Sequence, residues 1–287
     1  MKFLKFISSL PWGVLYALSD TFYFVVRYIA RYRRKVVRQN IRESFPNESP
    51  AFWKQTEKEF YHHFCDYVVE TLKLLTISPE EMKKRMIFEG LDDMVKDLDT
   101  HPFVFLYLGH YCNWEWISSM PQWFSKDIHT AQLYRPLNQH TLETFFQTAR
   151  TRLGAENIDK NIALRRILEL KKEGTPTIIG FIADQSPKRN SIHKWINFLN
   201  HPETPVFTGT ERIAKKVDAA IWYCDVRRLS RGHYKGTMRR LVDDVNNEPE
   251  HHVTELYMQA LEETIKRQPA YWLWSHKRWK RTKTNGI

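Results

Sequence analysis

Phe103-Val104-Phe105-Leu106-Tyr107-Leu108-Gly109-His110 decides the fold. Six apolar residues follow one another without alternation, over the length of a strand. That pattern predicts a strand buried on both faces, as in a sheet covered by helices. Glycine and histidine end the run, and a helix is expected from about Asn113. Further along, residues 128–134 read as a strand, and 138–153 and 162–172 as helices. After the turn Gly174-Thr175-Pro176, residues 177–183 form a second buried run that stops at Asp184-Gln185. A helix at 208–216, strands at 219–226 and 234–242, and an amphipathic helix at 250–267 complete the pattern. Upstream, Phe52, Phe60, Phe64, Tyr67 and Val68 recur at helical spacing over 51–76. A short helix opens at Ser78-Pro79, and a linker helix ends near Asp99. Strands alternating with helices predict an α/β fold, a mixed and largely buried sheet over about 100–245 flanked by helices.

The 287 residues are 42% hydrophobic and 27% charged, which excludes disordered and low-complexity classes. Cys65, Cys112 and Cys224 lie far apart with no C-x-x-C pair, so neither a disulfide framework nor a zinc site is expected. A reducing cytosolic setting is the simplest reading, and no metal or other cofactor is expected. The net charge is +11 and there are 10 Trp. A basic, aromatic-rich chain fits an anionic membrane surface or nucleic acid. The distribution favours the membrane. Seven basic residues and no acid occupy Arg27–Arg42, immediately after Phe6–Val26, where Asp20 is the single charge. Five of the seven residues from Lys277 to Lys283 are basic. No nucleic-acid-binding motif occurs. We therefore expect a membrane anchor helix over 1–30, a basic helical lead-in over 31–100 and an α/β catalytic domain over 101–287. The basic side marks the cytoplasmic face.

In open α/β sheets ligands gather beyond the carboxyl ends of the strands. His110, Tyr134-Arg135-Pro136 and Asp184-Gln185 stand at three such ends. His110-Tyr111-Cys112-Asn113-Trp114-Glu115 is the one place where an acid follows a histidine by five residues. About one such pair is expected by chance, so its position at a strand end carries the weight. On one continuous helix the two side chains diverge by about 140°. They can meet only with His110 in the turn and Glu115 in the first helical turn. Asn113 then serves as N-cap, and the helix dipole keeps Glu115 ionised. Such a pair can take the proton of a substrate hydroxyl.

The block Gly109-His110-Tyr111-Cys112-Asn113-Trp114-Glu115 resembles the G-H-x-x-N-W-E motif of the lipid A late (secondary) acyltransferases, within the lysophospholipid acyltransferase superfamily. Tyr134-Arg135-Pro136, the stretch from Gly174 to Asp184-Gln185, Pro205–Gly209 and Gln268–Lys280 resemble further family blocks in the same order. Cys112 stands where the family usually has Gly. The resemblance implies a glycerolipid acyltransferase-like fold and an acyl-carrier protein as thioester donor. It also implies a hydroxyl of a membrane glycolipid, a lipid A precursor, as acceptor. His110 would be the general base and Glu115 its orienter. Arg135, Asp184 and Asn113 are candidates for substrate or oxyanion binding, with Asp184 orienting Arg135 or the acceptor. Trp272, Trp274, Lys277, Arg278 and Trp279 are expected at the headgroup level of anionic inner-membrane lipids. A monomer is expected. A lysophospholipid or aminolipid acceptor remains an alternative.

Overall fold

The computed structural model describes residues 1–124 and 127–283. Its elements run α1 (Lys2–Ser9), α2 (Trp12–Phe24), α3 (Arg34–Ser44), α4 (Pro50–Lys73), α5 (Pro79–Arg85), β1 (Met86–Glu89) and α6 (Leu91–Lys96). They continue with β2 (Phe103–Leu108), β3 (His129–Tyr134), α7 (His140–Thr151), β4 (Glu156–Asp159), α8 (Ala163–Glu173) and β5 (Thr177–Ile182). The last are β6 (Lys194–Phe198), β7 (His201–Val206), α9 (Gly209–Val217), β8 (Ala219–Ser230), β9 (His233–Val242) and α10 (His252–Arg267).

Among the described residues, seven strands form one sheet in the order β1-β9-β8-β2-β5-β3-β4. Within that sheet only β8 and β9 pair antiparallel, so the expected α/β class is what the chain adopts. β2 lies near the centre between β5 and β8, and all six of its residues are buried. Three features depart from the expected elements. β1 joins the sheet ahead of the division expected at residue 101, and the polar edge strand β4 and the separate hairpin β6–β7 were not foreseen. Each is short, polar or proline-bearing and carries little periodic signal. The segment after Asn113 is a 3-10 helix over Trp114–Trp123, ending beside Pro121.

The N-terminal region docks on α4. Leu15, Ser19 and Tyr23 of α2 are buried. Ser19 Oγ donates to Asp66 at 2.7 Å, and the Tyr16 hydroxyl donates to Glu70 at 3.1 Å. Arg231, on the β8–β9 turn, clamps Asp20 and Asp66 together. The opposite face leaves Phe3, Phe6, Phe24 and Ile29 more than half exposed. Among the described residues no helix is long and apolar enough to cross a membrane.

Candidate active site

The parallel register of β2 and β5 builds the centre. Leu108 lies opposite Ile182. Two residues beyond that pair come His110 on one strand and Asp184 on the other. Gly109 permits this turn, because a Cβ there would meet the Leu261 side chain at 2.5 Å. Asp184 Oδ1 lies 2.5 Å from His110 Nδ1, and Oδ2 accepts the His110 backbone N–H at 2.9 Å. The Trp272 indole donates to the same Oδ2 at 2.8 Å. Asp184 is only 1% exposed. Burial opposes its charge, yet His110 and the indole hold its pKa down at about 2. An ionised carboxylate only accepts, so Nδ1 carries the proton. In the neutral ring Nε2 then keeps its lone pair, facing the Gln185 amide at 3.3 Å.

Glu115 does not hydrogen-bond to His110. Its carboxylate takes a two-pronged contact from Arg150 of α7 at 2.6 and 2.7 Å, with further bonds from Trp114 at 3.1 Å and Tyr67 at 3.3 Å. Burial would raise its pKa, but Arg150 more than offsets this and holds it below the usual carboxylate range. Glu115 still acts on the site. The Trp114 ring that it anchors packs edge-on against His110 at 5.2 Å and stacks on Tyr67 at 4.2 Å. The orienting hydrogen bond expected from Glu115 thus comes from Asp184, which the pairing of β2 with β5, distant in sequence, brings nearer. Arg150 gave no sequence signal beyond being one basic residue on a helix.

Other expectations need correction. Asn113 is fully buried, and its amide donates to Glu70 at 2.8 Å instead of capping the helix or facing substrate. Asp184 is buried and spends its three hydrogen bonds on His110 and Trp272; none goes to Arg135. Arg135 is exposed at the end of β3. Trp272, Trp274 and Arg278 are buried rather than at a headgroup level. The two indoles find partners inside, and Arg278 finds one for Nη2, while its Nε and Nη1 are buried without a hydrogen bond among the described residues. Trp272 binds Asp184, Trp274 donates to Pro269 O at 2.6 Å, and Arg278 Nη2 donates to Pro205 O at 2.7 Å. Burial lowers the Arg278 pKa to about 10. Trp279 stacks on His201 at 3.7 Å and donates to Thr204. Lys277 alone of this group is exposed. The tail is a strap across the site. Cys112 N–H donates to Tyr271 O, and Leu273 N–H donates to His110 O, both at 3.0 Å. Cys112 itself adopts φ +52°, a left-handed conformation that favours glycine.

A pocket of about 270 Å³ is lined by Tyr32, Arg33, Phe64, Tyr67, Trp114, Leu273, Ser275 and His276, and its Trp114 wall packs edge-on against His110. It offers aromatic walls and a basic end. A larger hollow of about 560 Å³ between β6 and α10 contains none of these groups, and two of its lysines are already paired with Glu255 and Glu262. Among the described residues no cluster of histidine, cysteine or carboxylates is placed to hold a metal.

No curated protein matches this chain. The family profile described as bacterial lipid A biosynthesis acyltransferase matches residues 1–281. That span holds the helical N-terminal region, the sheet, His110, Asp184 and the tryptophan strap, and the chain belongs to the bacterial lipid A biosynthesis acyltransferase family.

Proposed function

We propose that the protein transfers a fatty acyl chain from an acyl-carrier-protein thioester to a hydroxyl of a membrane glycolipid, a lipid A precursor. The observation that carries this reading is the His110–Asp184 pair, whose ring packs against Trp114, a wall of the aromatic pocket. His110 Nε2 takes the hydroxyl proton as the oxygen attacks the thioester carbonyl. Asp184 fixes the tautomer and stabilises the imidazolium that forms. The thiolate leaves as the tetrahedral intermediate collapses, and the imidazolium returns the proton to it. Glu115 adds a second negative charge near the ring and holds Trp114 against it, so His110 and Glu115 act together without touching. Arg135 is the candidate cation for the developing oxyanion.

The exposed apolar face of α1 and α2 would lie in the interface of the inner membrane on its cytoplasmic side. The basic residues that follow would meet anionic headgroups. The whole chain would work as a monomer.

The direct test is His110→Ala, assayed with acyl-carrier-protein thioester and glycolipid acceptor. Transfer should be lost while the variant still folds and melts cooperatively, at a temperature lowered by loss of the contact to buried Asp184. Normal turnover by this folded variant would refute the mechanism.

A further inference from the structure

Attack of a hydroxyl on a thioester puts negative charge on the carbonyl oxygen, and a fixed donor aimed at that oxygen stabilises it. The loop after β2 has few donors left. Its backbone N–H groups from His110 to Cys112 are taken up by Asp184, Gly109 O and Tyr271 O. The Asn113 amide is committed to Glu70 and the Trp114 indole to Glu115. Arg135 is exposed at the end of β3 and contributes charge from the surface.

His276, on the C-terminal strap, is different. Three consecutive residues beyond β5 tie it to His110. Asp184 holds His110 Nδ1 at 2.5 Å, the Gln185 amide faces His110 Nε2 at 3.3 Å, and the Ser186 N–H donates to His276 Nε2 at 3.3 Å. The strap closes the same circuit. Leu273 N–H donates to His110 O, and His276 N–H donates to Leu273 O at 3.1 Å. Asn40 fixes the strap from the other side, donating to the carbonyls of Trp274 and His276 at 2.8 and 2.9 Å. His276 lines the aromatic pocket together with Trp114, whose ring packs against His110. A backbone N–H only donates, so Nε2 of His276 presents a lone pair and the proton of the neutral ring sits on Nδ1. Among the described residues Nδ1 has no hydrogen-bond partner. The ring also stays uncharged. Burial, aided by the charges of Lys280, Arg278 and His110, outweighs Asp184 and brings its pKa down to about 4. Such a ring is too weak a base to compete with His110 for the hydroxyl proton.

We infer that His276 is a second catalytic residue, a neutral imidazole whose Nδ1–H donates to the carbonyl oxygen of the acyl thioester as it becomes an oxyanion. This rests on the acyltransferase reading above and adds the group that receives the charge. The hydroxyl oxygen bonds to the carbonyl carbon, and its proton goes to His110 Nε2. The C=O electron pair moves onto oxygen, where the Nδ1–H holds it. It returns as the C–S bond breaks, and the thiolate takes the proton back from His110. His276 gains and loses no proton in this cycle. One histidine moves the proton and the other holds the charge.

The test uses the full chain in detergent, with acyl-carrier-protein thioester and glycolipid acceptor, and the variants His276→Phe and His276→Asn. Phenylalanine keeps a ring and removes the donor, whereas asparagine puts an amide N–H close to where Nδ1 stood. His276→Phe should lower kcat by about 10²–10³ and leave the KM of the donor nearly unchanged. His276→Asn should recover about tenfold of that loss. A kcat for His276→Phe within about threefold of wild type, a change confined to KM, or an equal kcat loss in both variants would overturn the inference. A second arm needs neither turnover nor a folded variant. The wild-type chain is labelled with ¹⁵N-histidine and titrated at neutral pH with a ketone analogue of the donor, in which a CH₂ separates carbonyl and sulfur. His276 should show the neutral tautomer with hydrogen on Nδ1, and that proton should move downfield as the analogue binds. Hydrogen on Nε2, an imidazolium, or no shift at saturating analogue overturns the assignment. If the shift is seen while the wild-type protein transfers no acyl chain, the acyltransferase reading fails alone.

Discussion

Replacing Asp184 with Asn separates the chemistry of the site from its architecture. The two carboxylate oxygens do different work. Oδ2 accepts two N–H groups, from the His110 backbone and Trp272, while Oδ1 accepts from Nδ1 alone. An asparagine keeps two of these three bonds by placing its oxygen where Oδ2 was. Its NH₂ then faces Nδ1, and the imidazole must turn to the tautomer with hydrogen on Nε2. The lone pair that receives the hydroxyl proton is gone. A wrong tautomer of this kind costs on the order of 10⁴ in kcat, about 5 kcal/mol of barrier. The stability cost is smaller. The Asp184 pKa falls from an ordinary 3.8 to about 2 on folding, which corresponds to about 2.5 kcal/mol at neutral pH. One lost charge-assisted hydrogen bond gives a similar figure, roughly 1.5–3 kcal/mol. Turnover should be measured under saturating donor and acceptor, with thermal melting alongside. A collapse in kcat with a lowered but cooperative melt is expected. Asp184→Asn activity within about tenfold of wild type would refute the assignment of Asp184 as the orienting group.

Four further outcomes follow. Glu115→Gln leaves the Arg150 guanidinium, whose side chain is 20% exposed, without its counter-charge; urea unfolding should show a loss of about 3 kcal/mol, and unchanged stability would mean the pair is not formed. Removing residues 1–32 strips Tyr16, Ser19 and Asp20 from the network around Glu70, Asp66 and Arg231, so the shortened chain should lose cooperative folding in circular dichroism, and a well-folded, active truncation would contradict this. Phe3→Ser/Phe6→Ser/Phe24→Ser changes only exposed positions and should reduce flotation with anionic vesicles while the melt is retained; full flotation would place the membrane contact elsewhere. Burial pushes His63 down to about 3 and His201 and His276 down to about 4; the unfolded chain therefore binds more protons below about pH 6.5, and stability should fall by up to ~1.4 kcal/mol per histidine per pH unit from there to about pH 4, where a flat profile would count against buried neutral rings.

Local composition alone sufficed for what depends on neighbours along the chain. Phe103–Leu108 and Thr177–Ile182 declare themselves because strands covered on both faces need uninterrupted apolar side chains. His110 is conspicuous because it follows such a run directly, and the ordered motifs around it point to the acyltransferase family that the whole-chain match shows. The partner of His110 was not legible. Asp184 lies 74 residues further on and meets the imidazole only because β5 docks beside β2 in a register that pairs Leu108 with Ile182. Glu115, close in sequence, faces Arg150 instead, since the 3-10 segment turns it toward α7. The tail misled for a related reason. Trp272, Trp274 and Arg278 have the composition of an interfacial segment, but tertiary structure supplies a carboxylate and a backbone carbonyl to the two indoles, which makes their burial tolerable, and one carbonyl to Arg278 Nη2. Periodicity reports which residues avoid water; which polar groups satisfy one another is decided by non-local pairing, and the reactive centre of this protein is made of such pairs.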